Sequence, residues 1–200
     1  MPWEISFLNS IQTGIANPVF DNFFKYFTLL GEPVVFIFFC FALVVPKRTR
    51  RMGIQITLAL LGGIIIGNLI LKNALARPRP YTMPGAAIDA AHLLIKQPSD
   101  YSFPSGHSLA AFNAALIVFY NKKRWGILAL FGAVVLAFSR MYLFVHYPTD
   151  IIGGMLIAVF SSLVMFNVCK ALFARYSFEP ERLIKERMLK AKKEKQSAGK

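Results

Sequence analysis

The stretch Tyr-Ser-Phe-Pro-Ser-Gly-His, residues 101–107, lies where an irregular polar segment meets a long apolar run. Pro104 fixes the backbone angle φ and suits the first turn of a helix, so we expect a helix to begin here, with Ser105 in its first turn. The first N–H groups of a helix lack intrahelical partners and bind anions readily, and Gly106 allows a ligand to approach the backbone closely. His107 adds a proton donor. The stretch therefore predicts the floor of a phosphate site.

The composition indicates a membrane protein. Of the 200 residues, 56% are hydrophobic, and several apolar runs approach the length that crosses a bilayer. The net charge of +13 would also suit nucleic-acid binding. Lys and Arg cluster between and after the apolar runs, however, as they do in cytoplasmic loops that contact anionic lipid headgroups. We therefore expect membrane lipids as partners and no nucleic acid.

The apolar runs predict an all-α fold, a polytopic membrane helical bundle with about six transmembrane helices. Residues 1–18 should form an N-terminal interfacial helix, residues 19–173 the membrane domain, and residues 174–200 a basic tail. Prolines and glycines rule out a continuous helix through residues 77–103, and a loop of this length is usually functional. In the span 52–71, glycines should let neighbouring helices approach closely. These are Gly62, Gly63 and Gly67.

The positions of the basic residues predict the orientation. Residues 47–51, 121–124 and 182–200 should all lie in the cytoplasm, because Lys and Arg are enriched in cytoplasmic loops. Alternating the spans between them places residues 72–104 and 140–150 together on the outer side. The protein should then be an integral membrane protein with an extracytoplasmic active site and a cytoplasmic C-terminal tail.

Basic residues at the span ends suit phosphoryl transfer, which needs stabilisation of the equatorial phosphate oxygens. Lys72 and Arg140 are two of them, and the residues alone leave open whether Arg77 or Arg79 is the third. Arg140 follows an apolar run, where an unpaired guanidinium is costly, so a phosphate or Asp150 should pair with it. The alternative for each residue taken singly is a side chain that extends to the membrane interface.

His146 and Asp150 are four residues apart, close to an expected helix start near Pro148. A carboxylate that holds one imidazole nitrogen fixes the tautomer and leaves the other nitrogen free. His146 is thus a candidate nucleophile that forms a phosphohistidine, and His107 would protonate the leaving oxygen. The alternative is that His146 bonds within a loop and Asp150 serves only the helix start.

The remaining titratable residues do not form a metal site in the sequence. His92 and Asp89 in the long loop, and Asp100 near its end, are better explained as loop or turn residues than as ligands. Cys40 and Cys169 lie inside apolar runs without metal-site spacing. The predicted chemistry uses fixed side-chain charges and needs no metal or cofactor.

Taken together, the residues resemble the signature of the type-2 phosphatidic acid phosphatase family. Its three parts stand here in order: Lys72, six residues, then Arg79-Pro80; Pro104-Ser105-Gly106-His107; and Ser139-Arg140, five residues, then His146, three residues, then Asp150. Three complete matches at span ends are highly specific. The resemblance covers about residues 20–170.

The resemblance implies a six-span helical fold and a role for each matching residue. The phosphate would be bound by Lys72, Arg79, Arg140, Ser105 and the Gly106 backbone, with His146 as nucleophile, Asp150 as its partner and His107 as the acid. The family spacing selects Arg79 over Arg77. The loop 81–100 would select the headgroup.

The function implied by the resemblance is a metal-independent lipid phosphatase of the bacterial plasma membrane. Its substrate would be a phosphomonoester or pyrophosphate of a membrane lipid, such as undecaprenyl pyrophosphate or phosphatidylglycerol phosphate. One alternative is a lipid phosphotransferase that uses the same intermediate, and another is a basic membrane scaffold without catalysis. A vanadium-dependent haloperoxidase shares the motifs, but several membrane spans argue against it. The sequence identifies neither the lipid nor the oligomeric state.

Overall fold

The computed structural model describes the backbone of residues 2–197 and the side chains of residues 2–175. In this part of the chain all regular structure is helical. The helices are α1 (Pro2–Ile15), α2 (Pro18–Phe27), α3 (Pro33–Val44), α4 (Arg50–Ile64), α5 (Lys72–Leu75), α6 (Gly106–Asn121), α7 (Lys123–Tyr142) and α8 (Pro148–Ser197). Shorter turns join some of them: a 3₁₀ turn at Thr28–Gly31, a π-helical segment at Ile65–Leu71 and a 3₁₀ turn at Pro80–Thr82.

The chain divides into two compact units, residues 1–165 and residues 166–200. The second unit is the C-terminal part of α8, and its backbone is helical through Ser197. The predicted basic tail, residues 174–200, lies almost wholly outside the residues whose side chains are described. The site described below lies entirely in the first unit.

Among the described residues, three helical segments are long and apolar enough to cross a membrane: Arg50–Thr82, Lys123–Tyr142 and Pro148–Arg175. The pair Pro18–Gly31 and Pro33–Val44, bent by 53°, adds a fourth if it forms one broken span. Helix α6 has 16 residues, which corresponds to about 24 Å and is shorter than the roughly 30 Å hydrocarbon core. The expected helical membrane fold is thus present with at least three candidate spans.

Large apolar side chains cover the outer surface of the helices. Of the 12 residues of α3, all of them described, none is buried. Its Ile37, Phe38 and Phe41 are 67%, 69% and 68% exposed, and α7 exposes Trp125 and Phe131 in the same way. Soluble proteins rarely expose continuous apolar surface of this kind. The surface therefore fits an integral membrane protein whose outer face contacts lipid.

Helix α6 lies in the middle of the bundle and carries polar side chains into its interior. Asn113 donates from Nδ2 to the Ala59 carbonyl of α4 at 3.3 Å and accepts from Ser161 Oγ of α8 at 3.0 Å. Gly63 and Gly67 allow close packing here, since a Cβ at either would lie 2.7 Å from a Leu109 methyl group. The prediction of glycine-mediated helix contacts is confirmed at these two positions.

The two ends of the bundle differ in chemistry. At one end Asn121 of α6 donates to Gln55 Oε1 of α4 at 2.8 Å, beside the basic turns that precede α4 and α7. At the other end the Ser105 N–H, before α6, donates to the Asp150 carbonyl in α8 at 3.1 Å. Lys72 also lies at this second end, where it contacts Asp100. The motif residues therefore lie at the end opposite the basic turns.

Helix α6 starts two residues later than Pro104. Ser105 has extended backbone angles of −71° and 110°, and its side chain accepts a hydrogen bond from the Ser108 N–H. Serine is among the preferred residues at this capping position. Pro104 therefore precedes the helix instead of occupying its first turn, and Gly106 and His107 are the first two helical residues.

Candidate active site

A cavity of about 1130 Å³ lies at the end of the bundle that carries the sequence motifs. One part of its wall is polar and is formed by Lys72, Arg79, Asp100, His107, Arg140 and His146. Another part is apolar and comes from α3 and α4, including Phe36, Ile37, Leu60, Leu61 and Ile64. Residues from 72 to 146 thus meet at one cavity, which combines a cationic end with an apolar wall.

Arg79 is fixed at this cavity by backbone carbonyl groups. Its Nε donates to the Asp100 carbonyl at 2.8 Å, and its Nη1 donates to the Val145 carbonyl at 2.7 Å. The same Nη1 lies 3.4 Å from His146 Nε2. The guanidinium is 5% exposed and stands directly beside the imidazole.

Lys72 follows the π-helical segment, an irregularity that is frequent at functional sites. Its Nζ lies 2.5 Å from Asp100 Oδ2, while Arg79 Nη2 lies 2.5 Å from Asp100 Oδ1. Partial burial would raise the pKa of Asp100, but the hydrogen bonds and charges of Lys72 and Arg79 outweigh it and hold the pKa at about 2. Asp100 is therefore ionised at physiological pH.

Arg140 closes α7 and is buried. Its Nη1 donates to Thr28 Oγ1 at 2.6 Å, and its Nε has no hydrogen-bond partner within the described part of the chain. From the sequence, the expected partner of Arg140 is a phosphate or Asp150. Thr28 fills part of that role, because Asp150 is held by other donors.

His146 lies in the turn between α7 and α8 with its Nδ1 facing Asp150. The Nδ1 atom is 3.4 Å from Asp150 Oδ2, which is long for a hydrogen bond. This orientation directs Nε2 toward Arg79 and the cavity. Burial lowers the pKa of His146 to about 4; the positive charges of Arg79 and Arg140 act in the same direction, and Asp150 opposes them. The imidazole is thus neutral at physiological pH, the form that can act as a nucleophile.

Behind Asp150 lies a set of polar contacts that we call the rear network. It consists of the buried residues Glu4, Ser102 and Asp150 and of the partly buried Arg77 and Thr149. Asp150 Oδ1 accepts from Arg77 Nη1 at 2.5 Å, and Oδ2 accepts from Ser102 Oγ at 2.5 Å. Arg77 Nη2 donates to Glu4 Oε2 at 2.5 Å. Thr149 Oγ1 donates to Glu4 Oε1 at 2.6 Å. The N-terminal helix thus reaches the candidate catalytic pair through Glu4 and Arg77.

His107 enters the cavity from the start of α6. Its Nε2 lies 3.5 Å from Glu32 Oε1, at the break between α2 and α3. Gly31 makes this approach possible, since a Cβ there would overlap the His107 ring. The segment that carries Gly31 and Glu32 therefore shapes the surroundings of the candidate acid.

Ser105 and Gly106 are placed differently from each other. Gly106 lines the cavity. The Ser105 hydroxyl accepts from Ser108 Oγ at 2.9 Å, and its backbone N–H donates to the Asp150 carbonyl. Ser105 is fully buried and does not line the cavity. Its side chain therefore shapes the start of α6, whereas Gly106 presents the backbone to the cavity.

Several residues at the site were not predicted from the sequence. They are Glu4, Thr28, Glu32, Asn68 and Ser102. Arg77, a possible phosphate ligand from the residues alone, pairs instead with Glu4 and Asp150. Asp100, expected as a loop or turn residue, pairs with Lys72 and Arg79. Glu4 carried a usable signal, because it is an acidic residue in a largely apolar helix. Thr28, Glu32 and Ser102 lie in turns or loops, where no periodicity marks a buried partner, and Asn68 lies in the π-helical segment. Among the described residues, no group of three or more His, Cys, Asp or Glu side chains is arranged to hold a metal ion.

Comparison with known proteins gives a consistent result. The sequence pattern of the PAP2 superfamily matches residues 52–173. The undecaprenyl-diphosphatase of Sulfolobus acidocaldarius is 31% identical over 162 residues, which are 80% of this chain and 74% of that protein.

Two solved structures share the fold. LpxE of Aquifex aeolicus has a TM-score of 0.70 at 23% identity, over 82% of this chain and 95% of that one. A transmembrane PAP2-type phosphatidylglycerolphosphate phosphatase of Bacillus subtilis has a TM-score of 0.63 at 23% identity, over 87% and 86% of the two chains. The resemblance of the motifs is thereby confirmed, and the chain belongs to the PAP2 superfamily.

Proposed function

We propose that this protein is a metal-independent lipid phosphatase that works through a phosphohistidine at His146. The observation that carries the proposal is the meeting of three buried cations and two imidazoles at one cavity with an apolar wall. Phosphoryl transfer depends mainly on positioning and on stabilisation of charge, and this arrangement supplies both. A scaffold that only collects anionic lipid would not need two histidines beside three buried cations.

In the first step Nε2 of neutral His146 attacks phosphorus. A new N–P bond forms while the P–O bond to the lipid breaks, and its electron pair goes to the leaving oxygen, which takes a proton from His107. Lys72, Arg79 and Arg140 stabilise the equatorial oxygens, and the Gly106 backbone adds an N–H donor at the helix start. Ser105 supports this through its place at the cap of α6. The positive charge on the phosphorylated imidazole is balanced by Asp150.

In the second step water replaces the histidine. Water attacks phosphorus, gives a proton to His107, and the N–P bond breaks to release inorganic phosphate and neutral His146. A phosphotransferase would use an acceptor hydroxyl instead of water in this step. Release of free phosphate without an acceptor distinguishes hydrolysis from transfer.

The proposed substrates are lipids with a phosphomonoester or a pyrophosphate headgroup. The relatives support this class, since one is named for undecaprenyl diphosphate and one for phosphatidylglycerolphosphate. The apolar wall formed by α3 and α4 suits the chain of such a lipid beside the cationic end. A panel of prenyl pyrophosphates, phosphatidylglycerol phosphate, phosphatidate and lipid A would identify the preferred headgroup.

The test is phosphate release by the purified protein in the presence of EDTA. We expect phosphate release with the wild-type protein and none with His146→Ala, which lacks the nucleophile. A thermal unfolding transition like that of the wild type should show that the variant is folded. Brief reaction with ³²P-labelled lipid should label the wild type and not the variant. Full activity of His146→Ala, or loss of wild-type activity with EDTA, would contradict the proposal.

We further propose about six crossings of a bacterial plasma membrane, with the cavity outside and the C-terminal tail in the cytoplasm. The basic turns at the opposite end of the bundle support this orientation. Single cysteines at Ala87 and Lys122, in a background without Cys40 and Cys169, provide the test. An impermeant thiol reagent should label only the first in intact cells, and the reverse pattern would reject the orientation.

A further inference from the structure

Asp100 occupies the donors that a phosphate would need. Its two carboxylate oxygens lie 2.5 Å from Lys72 Nζ and 2.5 Å from Arg79 Nη2. The two cations are 8% and 5% exposed, whereas the Asp100 side chain is 52% exposed. Two oxygens of a phosphate group could contact Lys72 and Arg79 in the same way as the two carboxylate oxygens of Asp100. Asp100 and a phosphate therefore compete for the same donors.

The side chain of Asp100 is free to leave while its backbone stays. The backbone carbonyl accepts from Arg79 Nε at 2.8 Å, which anchors the residue. The carboxylate faces the cavity and is half-exposed. Rotation toward solvent would release Lys72 and Arg79 without moving the loop. Because Asp100 remains ionised at physiological pH, protonation does not release them.

We propose that Asp100 is a specificity-determining residue that excludes singly charged phosphodiester lipids from the site. This inference rests on the proposed function. A phosphomonoester carries about −1.5 to −2 charges near pH 7, whereas a phosphodiester carries one. When a phosphodiester displaces the Asp100 carboxylate, one negative charge replaces another, and the attraction to the buried cations does not increase. When a phosphomonoester displaces it, the negative charge beside these cations is larger and the attraction increases. Most phospholipids of a membrane are phosphodiesters. They would therefore occupy a site in which Lys72 and Arg79 had no carboxylate partner.

The alternative is that Asp100 holds Lys72 and Arg79 in place for the substrate. The two roles predict opposite signs. If Asp100 competes with ligands, its neutralisation strengthens binding of anions, and most strongly that of phosphodiesters. If Asp100 positions the cations, its neutralisation weakens binding of every phosphate.

The experiment compares two short-chain lipids that differ by one methyl group and one charge, dihexanoyl phosphatidate and dihexanoyl phosphatidylmethanol. Binding is measured by calorimetry on the full chain with His146→Ala, so that no turnover is needed. In this background Asp100→Asn should bind the phosphodiester about tenfold more tightly, the size of one charge-assisted contact. The gain for phosphatidate should be smaller, so the preference for the monoester falls.

Asp89→Asn is the matched control, because Asp89 is an exposed acid of the same loop that pairs with His92. It should bind both lipids like the parent. Asp100→Glu keeps the charge and should restore the preference, and Asp100→Ser gives the same comparison if Asp100→Asn does not fold. Weaker binding of both lipids to the neutral variants, or an unchanged preference, would overturn the inference. Failure of the parent to bind phosphatidate and every other phosphomonoester or pyrophosphate lipid of the panel would instead reject the proposed function.

Discussion

The two sides of Asp150 and His146 are built from similar residue types but differ in how completely these are partnered. In the rear network each carboxylate and the Arg77 guanidinium have ion-pair or hydrogen-bond partners at 2.5–2.6 Å. On the cavity side, buried side-chain atoms lack hydrogen-bond partners within the described residues. These atoms are Asn68 Oδ1, His107 Nε2 and Arg140 Nε, and all three residues line the cavity. A fourth such atom, His146 Nδ1, faces Asp150 at 3.4 Å, at the boundary between the two sides.

The difference indicates a division of labour. Buried polar groups that are fully partnered fix a conformation, while unpartnered ones cost free energy unless a ligand satisfies them. The rear network should therefore govern stability and the placement of Asp150. The residues on the cavity side should govern substrate binding and turnover and should contribute little to the stability of the fold. Substitutions on the two sides should separate these effects.

The largest expected effect on stability is that of Arg77→Met. This change leaves Glu4 and Asp150 buried without their cation, and breaking such a pair costs about 3–5 kcal/mol. Thermal and urea unfolding in detergent would measure the loss, and activity should fall with it because Asp150 loses its position. The double variant Glu4→Gln with Arg77→Met should recover part of the stability.

The control for this change is Arg124→Met, at an exposed position in the first helical turn of α7, at the other end of the bundle. It should alter stability by less than about 0.5 kcal/mol. Equal unfolding midpoints for Arg77→Met and Arg124→Met would show that the rear network is not a stabilising element.

For Arg140→Ala we expect the opposite result, a large loss of activity without a loss of stability. Removal of one donor to the developing charge of a transition state typically lowers kcat by about 10²–10³-fold. Stability should stay the same or increase, because a buried guanidinium with an unpartnered Nε is removed. Assays of kcat/KM and of thermal unfolding on the same preparations would test both halves.

Thr28→Val provides a graded comparison, since it removes only the hydroxyl that accepts from Arg140. Its activity should lie between those of the wild type and Arg140→Ala. A strongly destabilised Arg140→Ala would place this residue with the rear network and remove the distinction between the two sides.

The acid limb of the pH profile should report His146. Neutral imidazole is the nucleophile, so activity is present above the pKa of His146 and is lost as the pH falls through about 4. An unperturbed histidine would lose activity near pH 6.5. Arg140→Ala removes a positive charge that lowers the pKa of His146. The acid limb of its residual activity should therefore lie at a higher pH than that of the wild type.

Stability should change in the same direction. The unfolded chain binds a proton at His146 near pH 6.5 and the folded chain only near 4, so stability falls as the pH decreases through this window. The second ionisation of a phosphomonoester also falls near pH 6, so the limb is assigned by NMR titration of the His146 imidazole in the free protein. A His146 that titrates near 6.5 would be hydrated and not the buried base described above.

The sequence predicted the residues that stand at span ends but not the partners that hold them. Lys72, Arg140 and His146 are marked by polarity at the edge of apolar runs. Glu4 and Asp150 meet Arg77 across 73 residues of chain each, and no local pattern encodes such a contact.

The choice between Arg77 and Arg79 shows the same limit. It depends on the path of the chain after Ala76, which ends α5 in the left-handed region at φ 44°. From there Arg77 joins the rear network, and Arg79 faces the cavity. The residues alone left this choice open, and the family spacing favoured the residue that contacts His146.

The smallest effect should come from Glu32→Gln, which tests whether the cavity side tolerates a lost partner. Glu32 lies 3.5 Å from His107 Nε2 and is 47% exposed, so solvent screens the pair. Burial and the charges of Arg140, His146, Lys72 and Arg79 lower the pKa of His107 to about 2. A bound phosphate dianion and the Glu32 carboxylate act in the opposite direction and favour the protonated form, which donates to the leaving oxygen. Loss of this carboxylate should lower kcat by about two- to fivefold and move the alkaline limb to lower pH. Thermal unfolding should be unchanged, because neither partner belongs to the rear network. A pH profile identical to that of the wild type would show that Glu32 does not act on His107, and a lowered unfolding midpoint would assign it a structural role instead.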